Sequence, residues 1–88
     1  MKYFELPTDL NYMCSFPVSK TVYNATVQTL PTSLKKIWTV RDSENNEIFK
    51  NLYMSSGINY AAMFAQFETG TSLKILEVGG KTYIEASE

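Results

Sequence analysis

Residues Glu47–Gly70 read EIFKNLYMSSGINYAAMFAQFETG and bring together Phe49, Tyr53, Tyr60, Phe64 and Phe67. The architecture turns on whether these rings line a core or a surface. The first third, EIFKNLYM, has the alternation of a strand, with Ile48, Leu52 and Met54 on one face and Phe49 and Tyr53 on the other. Only one face of a strand in a small barrel looks inward. The aliphatic set is the better core, which leaves Phe49 and Tyr53 as candidates for the outer face. The remainder reads as a helix with both ends written in: Ser55 or Ser56 as N-cap and Gly70 just past the C-terminus. Tyr60, Met63, Phe64 and Phe67 fall at i, i+3, i+4 and i+7, a single stripe. A short helix gains its stability by packing such a stripe, so these four are expected to face the core. Ile58, Ala61, Ala62 and Ala65 form an adjoining face small enough for close approach to a sheet.

Working upstream, KTVYNATVQTL (Lys20–Leu30) is rich in β-branched residues and predicts a long strand with Tyr23, Ala25 and Val27 on one face. LPTS then predicts a turn, because Pro31 presets φ. KKIWTVRD (Lys35–Asp42) predicts a second strand with Trp38 and Val40 on one face. Trp38 faces the same choice as Phe49 and Tyr53, burial or exposure. SENN (Ser43–Asn46) is a polar hairpin loop; connections of two and of four residues both fit. Downstream, LKILEVGGKTYIEASE carries Gly79-Gly80 between two β-rich runs, the signal of a two-residue hairpin. That loop pairs Leu76 with Tyr83, Ile75 with Ile84 and Lys74 with Glu85, all favourable cross-strand neighbours.

Residues 1–19 have apolar content without a clean period, and are expected to be an extension packed on the domain formed by residues 20–88, with room for an extra edge strand. The fold class that follows is mainly β with one helix, in the order strand, strand, strand, helix, strand, strand. That is the order of the five-stranded OB barrel.

Bulk composition narrows the chemistry. A chain of 88 residues with 44% apolar content supports one domain with a real core. It has no histidine and one cysteine, Cys14. A Ser-His-Asp or Cys-His arrangement, a structural zinc site and an internal disulfide are therefore all out of reach. Asp42, Glu44 and Glu47 sit in a polar turn, where solvated acids are the ordinary occupants. A non-enzymatic protein without cofactor or metal is the expectation. No secretory leader or membrane span is expected, which favours a cytoplasmic location.

The formal charge of −1 conceals a gradient. Lys20, Lys35, Lys36 and Arg41 lie in a stretch from Leu10 to Arg41 that contains no acid, whereas acids outnumber lysines beyond it. A basic strand face carrying exposed rings is what holding a single strand requires: cations follow phosphates and rings stack on bases. Over Thr21–Ser87 the course of strand, polar turn, EIFKNLYMSS strand, helix and GGKTYIEAS hairpin resembles small phage-type single-stranded-DNA-binding proteins of OB fold. The resemblance implies DNA binding across the second and third strands, at Lys35, Lys36, Trp38, Arg41, Phe49, Lys50 and Tyr53. The alternative is a protein-interaction module, such as a viral or accessory inhibitor of a host protein, or a homo-oligomer. Tyr3, Phe4, Leu10, Tyr12, Met13 and Phe16 would then be interface material.

Overall fold

The computed structural model describes residues 1–7 and 9–88. They form strands β1 (Lys2–Glu5), β2 (Asn11–Val18), β3 (Thr21–Thr29), β4 (Lys36–Arg41) and β5 (Glu47–Tyr53), helix α1 (Tyr60–Met63), and strands β6 (Leu73–Val78) and β7 (Lys81–Ala86). Two antiparallel sheets result, one ordered β2-β3-β4-β5 and the other β1-β7-β6. From β3 onward the element order is the expected one, but the five strands do not close into an OB-like barrel. A closed barrel of five would need each strand to pair with two of the others. The second edge of β3 is taken by β2 and that of β7 by β1. Residues 1–19 thus supply one edge strand to each sheet.

The core lies between the sheets. Tyr23, Ala25 and Val27 point inward from β3, as their alternation predicts, and meet Trp38 and Val40 of β4. Leu73, Ile75, Ile84 and Ala86 are buried on the three-stranded side. The β6–β7 hairpin has the predicted register, with Leu76 opposite Tyr83, Ile75 opposite Ile84 and Lys74 opposite Glu85. Gly79 and Gly80 have φ of +58° and +80°, the positive pair that a primed two-residue turn requires.

The β4–β5 hairpin departs from both expected loop lengths. Asp42 and Asn46 bond to each other, leaving the three residues Ser43–Asn45 as the loop, and Asn45 supplies the left-handed conformation at φ +67°. β5 is also bulged twice. Lys50 and Asn51 together oppose Thr39, and Ile48 is an extra residue between Glu47 and Phe49. Asn51 adopts φ +54°, and its N–H donates to the Thr39 hydroxyl at 3.1 Å. An inserted residue reverses the faces on either side of it. Phe49 therefore joins Leu52 on the inward face, and the outward placement expected for it is overturned.

The expected helix from Ser55 or Ser56 to Gly70 shrinks to one turn. Asn59 is the cap, and its Oδ1 accepts from the N–H groups of both Ala61 and Leu73. Phe64 is already extended, with φ −127° and ψ 130°. Unwinding there lets Phe64 stack on Phe49 at 4.9 Å and Phe67 reach Tyr23 at 4.8 Å, partners a continuous stripe would not meet together. Tyr60 and Phe67 are buried as expected, Phe64 is half-buried, and Met63 stays 56% exposed.

Candidate functional site

The seven residues assigned to a nucleic-acid face, Lys35, Lys36, Trp38, Arg41, Phe49, Lys50 and Tyr53, fall into four places. Trp38 is 0% exposed and Phe49 5%. Rings at that depth do not stack on a base, so both are corrected to core residues. Trp38 lies in the inward row Tyr12–Val27–Trp38–Leu52, and its indole meets Phe49 and Tyr60 edge-on at 5.3 and 5.0 Å. Tyr53, 57% exposed, is the assigned ring that reaches the surface.

The cations divide as well. Arg41 stands at the end of β4 beside the loop and pairs with Glu47 at 3.6 Å. Lys50 is exposed on the bulge. Lys36 opens the other end of β4, five residue steps or about 17 Å from Arg41 along an extended chain, and Lys35 lies just before it. They do not form one basic track.

Lys35, Lys36 and Tyr53 do converge, on a cleft of about 440 Å³ at the end of the molecule where the two sheets part. Met54 and Ile75 give it an apolar lining, and Glu77 and Thr82 contribute from the β6–β7 hairpin. The Lys35 ammonium stands 5.6 Å from the centroid of the Tyr53 ring, a cation–π contact that covers one ring face. Among the described residues the ion pairs are Met1–Glu88, Arg41–Glu47 and Lys81–Glu5, so neither Lys35 nor Lys36 has a carboxylate within 4.0 Å.

Backbone groups complete the cleft. In a two-residue hairpin the residues flanking the turn exchange hydrogen bonds, and every second pair after them does the same. Val78–Lys81, Leu76–Tyr83 and Lys74–Glu85 are those pairs. The N–H and C=O of Leu73, Ile75 and Glu77 consequently point away from β7. The Leu73 N–H is taken by Asn59, and Ile75 forms an isolated parallel bridge with Ser56. Glu77, further along the same edge, has no such neighbour among the described residues and lines the cleft. On the facing side the β5 edge is closed by Tyr60. Its hydroxyl donates to the Tyr53 carbonyl at 2.6 Å and accepts from the Ser55 N–H at 2.9 Å. Sequence reasoning missed Glu77 and Thr82; the hairpin register fixes the direction of their backbone groups, but no local signal tells that the β6 edge is uncovered.

Other titratable groups lie elsewhere. Burial, and then the charges of Cys14 and Asp9, push the Tyr12 hydroxyl up to about 12, and burial raises the Cys14 thiol. A raised pKa leaves Cys14 mostly as an unreactive thiol. Among the described residues no cluster of three or more His, Cys, Asp or Glu has the arrangement of a metal site, and no helix is long and apolar enough to cross a membrane. No protein-family model matches the chain, and no curated protein or solved structure matches it either.

Proposed function

We propose that this chain is a non-enzymatic protein-interaction module that takes up an extended segment of a partner protein in the cleft between its sheets. The observation that supports this reading is the uncovered edge of β6 at Glu77, set between an apolar floor and the lysines Lys35 and Lys36. An extended segment adding to that edge gains main-chain hydrogen bonds, while Met54 and Ile75 receive a side chain. The volume lies within the roughly 300–1,000 Å³ usual for sites of bound ligands.

Single-stranded nucleic-acid binding, the function implied by the likeness to phage-type OB-fold proteins, is the second reading. Lys35, Lys36 and Tyr53 gathered at one end still favour it. It has lost Trp38 and Phe49 as stacking platforms and Arg41 as a free cation, and the strand order does not favour an OB barrel. The deciding measurement is a pair of titrations of isotope-labelled protein, followed at each backbone amide. One uses peptides recovered by panning a random-peptide display library, the other an oligo-dT strand at low and high salt. Peptides shifting Ile75, Glu77 and Thr82, with oligo-dT silent, are the expected result. Recovery of no peptide above background, together with salt-sensitive shifts from oligo-dT, would move the function to nucleic acid.

A further inference from the structure

We infer that the cleft selects the carboxy-terminal end of the partner segment, a deduction that rests on the peptide-binding reading above. Two independent features lead to it. The first is that the exposed edge is short and stopped. A segment running inward along β6 from Val78 passes Glu77 and then meets Ile75, where Ser56 already occupies the edge. Beyond Ile75 the next outward-pointing group, the Leu73 N–H, is held by the Asn59 side chain. A chain passing through has nowhere to continue, whereas a chain end does. Ile75, at 2% exposure, marks the depth at which it stops.

The second feature is charge. Lys35 and Lys36 line the cleft against one carboxylate, Glu77. Two cations and one anion leave a net single positive charge, which matches a terminal carboxylate and opposes a terminal ammonium. Lys36 is half-buried, shares the inward face of β4 with Trp38 by strand alternation, and lines the cleft. The hydroxyls of Ser55 and Thr82, also on the cleft wall, add donors of the kind a carboxylate accepts. Glu77 is left to face the segment's own N–H groups. An apolar last side chain fits Met54 and Ile75. A nucleotide suits the site less well, because Lys35 covers one face of Tyr53, the single ring at the rim.

The test pans wild-type protein and the Lys36→Gln variant against two random-peptide libraries on a common carrier, one displayed with free carboxyl ends and one with free amino ends. Recovered peptides are synthesised as acid and as carboxamide. The expected result is recovery from the carboxyl-end library alone, at least tenfold weaker binding of each peptide as its carboxamide, and a similar loss in Lys36→Gln. Thermal unfolding of Lys36→Gln run alongside shows that the variant is folded, and Lys36→Arg is expected to restore part of the affinity. Binders of equal quality from both libraries, insensitive to amidation, would overturn the carboxylate inference and leave the peptide-binding reading standing. Recovery from neither library would overturn both.

Discussion

Two side chains illustrate how single positions respond to their surroundings here. The Asp42 carboxylate accepts from the N–H groups of Asn46 and Glu44, both at 2.9 Å. The Asn46 bond foremost lowers its pKa below the ordinary aspartate value. A lowered native pKa means that the contribution is present above that ordinary value and is lost as pH falls through the native one. Acidification below about pH 3.9 is therefore expected to cut hydrogen-exchange protection at Glu44 and Asn46 before β4 or β5 loses any. Simultaneous loss in loop and strands would show that Asp42 is not the local clasp. Tyr12 works in the opposite direction. Its hydroxyl is buried without a hydrogen-bond partner among the described residues, and its pKa is raised to about 12. The neutral form is favoured in the fold, so stability is intact below the ordinary value and declines as pH climbs toward about 12. Tyr12→Phe removes an unsatisfied group and keeps the ring. Near neutrality it is expected to be neutral to mildly stabilising, and it should flatten the alkaline decline in a series of chemical melts. A loss of more than about 1 kcal/mol at neutral pH would mean that the hydroxyl has a partner after all.

Among the elements, Tyr60 holds the least ordinary post. Its hydroxyl stands in for a neighbouring strand along β5, joining the Tyr53 carbonyl and the Ser55 N–H. Tyr60→Phe leaves both groups without that partner and is expected to cost about 1–3 kcal/mol in denaturant unfolding, with the Ser55 amide losing protection. An unchanged Ser55 amide would remove the hydroxyl from this role. Sequence legibility also divides by element. The β6–β7 hairpin was readable residue by residue, because Gly79-Gly80 fixes the turn and the turn fixes the pairs. β5 was readable as a strand but not in its faces: nothing in EIFKNLYM announces that Lys50 and Asn51 share one place opposite Thr39. That bulge is why Phe49 escaped correct placement and why the candidate site lost a ring. The helix was misread for a related reason. Capping and periodicity describe what Ser55–Gly70 favours alone, whereas Phe64 and Phe67 each gain more from separate aromatic partners across the core. The surviving part of the site, Lys35, Lys36 and Tyr53, was legible as charge beside an exposed ring. Its far wall depends on where two sheets part, a tertiary fact.

For the molecule as a whole, the first segment decides whether there is a sandwich at all. β1 pairs along β7 from Lys2–Ala86 to Glu5–Tyr83, and the buried Leu6 donates its N–H to the Thr82 carbonyl. Removing residues 1–7 would strip the outer edge of β7 and open the core at Leu6. The shortened chain is expected to lose most of its cooperative unfolding transition and to self-associate in sedimentation. A monomer with an unchanged melt would reduce β1 to an appendage.

The two sheets leave four strand margins, and each is blunted by a different means. β1 is only four residues long, β2 carries Pro17, β5 is kinked by two bulges, and β6 is fastened by Asn59 and Ser56. Short, proline-bearing and irregular margins are poor templates for stacking one molecule on the next. Margins of this kind disfavour the edge-to-edge stacking from which cross-β fibres grow, and the gap in the β6 margin at Glu77 opens onto the cleft.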